Sequence, residues 1–128
     1  MNKERLNKKF MEEFKHYDFS QIQENQVYLV GSARFKDYFI KIESILQILF
    51  DKNVYVCSMD GLLNKNEFSS KEWEKLQEIA LRKLQDQEAM LVLDINHYIG
   101  EHSMEEIETF EKKYNKPIYY LSKLTKNS

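Results

Sequence analysis

Four short apolar runs constrain the fold of this chain more than any other feature, because each is separated from the next by a stretch with helical periodicity. The runs are "QVYLVG" (26–31), "VYVCS" (54–58), "AMLVLDI" (89–95) and "KPIYYLS" (116–122). They are too short for helices and too continuously apolar for strands with one wet face, so they read as strands covered on both sides. Between them, Phe35, Phe39, Ile42, Leu46 and Leu49 recur at three- and four-residue spacing. Trp73, Leu76, Ile79 and Leu84 follow a capping-box pair, Ser69 and Glu72, and Ile107, Phe110 and Tyr114 follow Ser103. The capping pair marks a helix start. Strand–helix alternation demands parallel strands joined by right-handed crossovers. The prediction is an α/β fold: a three-layer, Rossmann-like or flavodoxin-like open parallel sheet of about four to five strands, with helices on both faces.

Residues 26–124 account for that domain. Residues 1–25 precede it as an N-terminal helical extension, with Leu6, Phe10, Phe14 and Tyr17 at helical spacing and a polar connector over 18–25. Residues 59–68, with Gly61 and two asparagines, read as a loop. A chain of 128 residues builds a core without metal or disulfide staples. The net charge of −2 gives no field to recruit nucleic acid or an anionic membrane. Cys57 is the single cysteine, which excludes an internal disulfide and a thiolate-rich zinc site. No apolar run approaches a membrane span and "MNKERLNKKF" lacks a signal-peptide core, so a soluble cytoplasmic protein is expected.

Ligands of such sheets bind beyond the carboxyl ends of the strands, where strand order reverses. Three loops end there, at residues 31–34, 58–68 and 95–103. In the first, Gly31 allows a tight turn, Ser32 can cap a helix and Arg34 can pair with a phosphate, while Ala33 adds a free amide. The same residues equally suit a plain strand-to-helix turn. In "DINHYIGEHSMEEI" (94–107), Glu101, Glu105 and Glu106 surround a helix start, where a carboxylate can attack a sugar C1′. Ser103 and Glu106 also have capping-box spacing, which would make Glu106 an acceptor for a backbone amide. His97 and His102 fall short of a zinc signature, and no metal is expected. Cys57 has no histidine partner in the pattern and reads as a small core residue. A phosphoacceptor receiver domain would need an acidic pair after the first strand, and a flavodoxin a hydroxyl-rich loop; "GSAR" supplies neither.

Taken together, "YLVGSARF", "LVLDINHYIGEHSMEEI" and "NKPIYYLS" resemble the nucleoside 2-deoxyribosyltransferase-like superfamily over residues 27–122. Its small bacterial members carry G-S-T-R-F after a strand and later Y-I-G-E-S-T-x-x-E-I. Its 2′-deoxynucleoside 5′-monophosphate N-glycosidases begin with Y-x-x-G-S before an arginine. The resemblance implies a nucleoside or nucleotide ligand, no cofactor, and homodimers or higher oligomers with sites near subunit contacts. It assigns Tyr28 to the sugar site, Gly31, Ser32 and Arg34 to a 5′-phosphate, and Glu106 to the nucleophile. Gly100 and Ser103, at the last helix start, join Ala33 among the candidate nucleotide-binding residues. The family's aspartate falls near Ala80 here, so Asp94 or Asp60 is expected to supply the acid. The tail of the last helix is one residue longer than the family pattern. The N-terminal helix, with its exposed stripe of Leu6, Phe10 and Phe14, is expected to add to such a subunit contact. A non-catalytic nucleotide-binding module and a purely structural role are the alternative readings.

Overall fold

A computed structural model describes residues 3–126. Its strands are β1 (Gln26–Val30), β2 (Asn53–Tyr55), β3 (Ala89–Val92) and β4 (Ile118–Tyr120), all parallel in the order β2-β1-β3-β4. The expected open sheet is therefore present, with four strands. Val27 to Val30 and all of β3 are buried, as strands with both faces covered must be. Strand order reverses between β1 and β3, so their carboxyl ends flank the switch point.

One face is covered by α2 (Lys36–Phe50), which turns Phe39, Ile42, Ile45 and Leu46 onto the sheet. The other carries α4 (Ser70–Lys83) and α5 (Glu101–Thr109), where Leu84, Ile107 and Phe110 pack on Tyr28, Val30, Met90 and Val92. Ser69 and Glu72 form the expected capping box, with reciprocal bonds of 3.2 and 2.9 Å. Helix α5 runs on into a π turn, Phe110–Tyr114, closed by Asn115 in the left-handed region. A π turn absorbs one extra residue without moving the inward face of a helix. Among the described residues no helix is long and apolar enough to cross a membrane.

Two expectations are corrected. Residues 59–68 do not form a loop: α3 (Met59–Leu63) and a short 3₁₀ turn, Lys65–Glu67, occupy them, because the Ser58 hydroxyl caps the Gly61 amide at 3.0 Å. The N-terminal segment also differs, with only α1 (Lys8–Glu12) helical there. Its apolar stripe faces inward: Phe10, Phe14, Phe19 and Ile22 are buried, and Leu6 packs partly against them. They share a core with α2, Leu91, Leu93, Leu121 and Leu124. A 2.7 Å bond from the Asp18 amide to the Leu124 carbonyl and a Tyr17–Thr125 bridge tie the segment to the chain's other end. The segment completes the α2 layer, so the stripe is unavailable to a second subunit.

This packing predicts a large cost for truncation within the segment. Phe14 is 2% exposed, and Phe14→Ala should destabilise the fold by about 3–5 kcal/mol. Urea unfolding checks it; a loss below about 1 kcal/mol, the level of an ordinary surface change, would mean that the segment does not belong to the core.

Candidate functional site

The carboxyl ends of β1 and β3 and the start of α5 enclose a cavity of about 330 Å³, within the range of small-molecule sites, about 300–1,000 Å³. Its floor begins at Gly31. A Cβ there would meet the Leu93 Cβ, the Leu93 carbonyl and the Phe39 ring, each at 3.2 Å, so glycine is favoured by close packing rather than by backbone angle. The chain then turns, and the Ser32 hydroxyl accepts the Arg34 amide at 3.2 Å, opening a 3₁₀ turn over Ala33–Phe35. Ser32 and Ala33 line the cavity. Arg34 stands outside it, its guanidinium 4.1 Å from the centroid of the Tyr98 ring, in a cation–π stack that leaves its N–H edge free.

The opposite wall is set by the third loop. Asn96 and His97 adopt left-handed angles (φ 54° and 61°), which reverse the chain after β3 and bring Tyr98 to the cavity. Helix α5 then starts at Glu101, three residues earlier than a Ser103 cap would place it, with Gly100 as its N-cap and no side-chain cap. Ser103 therefore lies in the first turn, buried, and the expected Ser103–Glu106 capping box does not form. Glu106 falls on the inner face instead, only 5% exposed, where its carboxylate lines the cavity.

The electrostatics of this carboxylate are unusual. Burial pushes its pKa up to about 7; the Tyr28 hydroxyl opposes that rise and the neighbouring Glu105 charge adds to it. Tyr28 is wholly buried on β1, and its own pKa is driven far above the ordinary phenol value by burial first and by Glu106 second. Its hydroxyl is close enough to act on Glu106, yet it makes no hydrogen bond of ordinary geometry to any group. A buried donor left unpaired beside a carboxylate is costly, and such pairs often close only when ligand arrives. Cys57 also lines the cavity; burial, with a contribution from Glu106, raises its thiol to about 11, so it is no thiolate nucleophile at neutral pH.

Neither expected acid lies here. Asp94 is buried, but it accepts the Ser122 amide at 2.9 Å and the Ser122 hydroxyl at 2.6 Å, tying β3 to the end of β4. Asp60 is exposed on α3 and accepts the Asn64 side-chain amide at 2.8 Å. Ala80 is fully buried, one helical turn below Leu76 and Gln77, which do line the cavity. Glu101 and His102 line its mouth, while His97 is exposed and does not. Among the described residues no cluster of three or more His, Cys, Asp or Glu side chains could hold a metal.

The helical pattern alone concealed several members of the site. Trp73 stands in the apolar stripe of α4 and reads from sequence as core, but it lines the cavity with the His102 ring edge-on, centroids 5.8 Å apart. Gln77, one turn on, donates to the His102 carbonyl at 3.2 Å and to the Glu105 carboxylate at 3.0 Å, joining α4 to α5. Tyr98 and Lys65 carried no periodic signal at all. No family model, no curated protein and no solved structure matches the chain.

The buried carboxylate predicts a particular pH dependence of stability. The folded pKa of about 7 lies above the ordinary 4.5, so the folded state holds its proton more tightly. Stability is full below pH 4.5 and falls as pH rises toward 7, by up to about 3 kcal/mol at 1.36 kcal/mol per unit. Glu106→Gln carries no charge to bury. It should match the wild type near pH 4.5 and become progressively more stable than it up to pH 8, in urea titrations across that range. A Glu106 serving as a cap would show the reverse, with Gln the weaker at high pH.

Proposed function

We propose that the protein cleaves the N-glycosidic bond of a nucleoside or nucleoside 5′-monophosphate, as an N-glycosidase or deoxyribosyltransferase. The observation that carries this reading is Glu106, a buried carboxylate that lines a nucleoside-sized cavity and stands beside the unpaired hydroxyl of Tyr28, itself buried outside the lining. The ionised Glu106 attacks C1′ as the C1′–N bond breaks, and the bonding electron pair leaves with the base. Water, or a second base, then displaces the carboxylate from C1′. Tyr28 orients Glu106 and donates to it in the ionised state. Trp73 and Tyr98 offer faces for the base, whose π system stacks on aromatic rings with little dependence on sequence or substituent. The amides after Gly31, with Ser32 and Arg34, receive the 5′-phosphate. Water at the mouth, where Glu101 and His102 stand, supplies the proton that the leaving base takes up.

One observation favours a second reading, that of a nucleotide-binding module without turnover. Ala80 stands where the resemblance expects an aspartate, and Asp60 and Asp94 are engaged outside the cavity. Base release from a panel of nucleosides and 5′-monophosphates decides between the two. Enzymatic cleavage should rise with pH along a limb near pH 7, because the nucleophile must be ionised and its pKa is about 7. Glu106→Gln should abolish it, by at least a thousandfold, while folding remains intact. Ligand binding without base release by the wild type would establish the binding module.

Phosphate recognition is tested separately by calorimetry. Arg34→Ala should weaken a 5′-monophosphate by about tenfold or more, the worth of a charge-assisted hydrogen bond, and leave the unphosphorylated nucleoside unaffected. Equal losses for both ligands would show that Arg34 acts through its stack on Tyr98 alone.

A further inference from the structure

Beside the cavity lies a second depression, of about 320 Å³. The two share Ser32, Ala33, Leu62, Lys65 and Tyr98, so they adjoin. Three cationic side chains converge on the outer depression: Arg34 and Lys36 from the turn after β1, and Lys65 from the 3₁₀ turn after α3. No carboxylate lines it, and among the described residues none of the three enters an ion pair. The chain as a whole is negative, at −2, which makes a local surplus of this kind stand out. Isolated surface lysines are ordinarily just solvated. These differ in sharing one concave surface whose lining holds no carboxylate and in flanking a guanidinium already held in place over Tyr98; Lys65 alone also lines the inner cavity, with Glu101 and Glu106.

We infer that the outer depression is a polyphosphate subsite, and that the ligand class of the cavity extends to nucleoside 5′-di- and triphosphates, held more tightly than the monophosphate. The inference rests on the nucleoside reading of the inner cavity. The inner cavity, of about 330 Å³, is of nucleoside size, and its lining offers one cation, Lys65. The chain leaves over Ser32 and Ala33, with the α-phosphate at the turn amides, and runs between Arg34, Lys36 and Lys65. Each added phosphate brings further negative charge to cations that have no other partner, so affinity grows along the series. The salt dependence of binding grows with it, because more charge is screened.

The test is calorimetry on the full chain, in the absence of divalent metal, with the four 2′-deoxynucleosides, their 5′-mono-, di- and triphosphates, and inorganic tripolyphosphate. The expected result is a gain of at least tenfold in affinity from mono- to triphosphate for the preferred base, and tripolyphosphate binding far more weakly than the nucleotide. Lys36→Ala/Lys65→Ala, both changes at exposed positions, should remove that gain. Equal affinity for mono- and triphosphate overturns the polyphosphate subsite while leaving the nucleoside reading intact. A gain that survives the double substitution overturns the assignment to these lysines. Tripolyphosphate binding as tightly as the nucleotides overturns the nucleoside reading of the cavity and the ligand class with it, as does a failure of every ligand to bind.

Discussion

The burial of one carboxylate organises this molecule. Glu106 lies on the inward face of α5, one turn above Phe110 and beside Ile107, which anchor the helix on the sheet. A charge in that position is expensive, and burial is the leading cause of its raised pKa. The fold tolerates it because the carboxylate opens on a cavity rather than into the core. What places it there is the first turn of the helix. With Gly100 as N-cap, Glu106 is directed inward; with Ser103 as N-cap, the same residue would reach back to the helix start as a cap. A three-residue difference in where a helix begins decides between a capping glutamate and one that faces a cavity.

The second constraint is coverage. A four-stranded parallel sheet must hide both faces, and α2 alone is too narrow for the face it occupies. The N-terminal segment fills the remainder with Phe10, Phe14, Phe19 and Ile22, few of which need a helix to do so. This explains why an apolar stripe at helical spacing yields so little helix. Tertiary burial, not local periodicity, fixes those side chains, and a 3₁₀ turn at Phe19–Gln21 serves as well as a regular element. Deep packing here also leaves the cavity end of the sheet free, since the segment meets the sheet on the α2 side, away from α4 and α5.

How much was legible follows from what kind of signal each part carries. Strands buried on both faces are continuous apolar runs, and all four were readable with their parallel pairing. Gly31, Ser32, Ala33, Gly100, Ser103 and Glu106 were readable as a group because two strand-to-helix turns must meet at the switch point, and these residues do line one cavity. Arg34 was placed at its edge rather than in it. Asp94 and Asp60 were misassigned because residue type and loop position do not reveal hydrogen-bond partners; Ser122 and Asn64 claim them. Trp73 was hidden by its own periodicity, since a residue on the apolar stripe of a helix may face a core or a cavity and the spacing is the same. Lys65 and Tyr98 lie in non-periodic segments, where only the fold brings them together.

The cost of burying Glu106 and its proposed chemistry have the same physical origin. A carboxylate deprived of water raises the energy of the free protein, which the pKa near 7 expresses. The same dry setting strengthens its attraction to a positive charge developing at C1′, since the interaction is less screened than in solvent. The carboxylate is destabilised while the sugar is neutral and stabilised as the oxocarbenium-like centre forms, so the interaction favours the transition state over the ground state. An anionic phosphate works against this, because a negative ligand nearby would raise the Glu106 pKa further. The proposed counterweight is the cationic rim: Arg34 lines only the outer depression and Lys65 lines both it and the cavity, so the two would neutralise a bound phosphate. On that reading, a basic outer region lets a single small cavity hold an anionic ligand and still present it with a negative nucleophile.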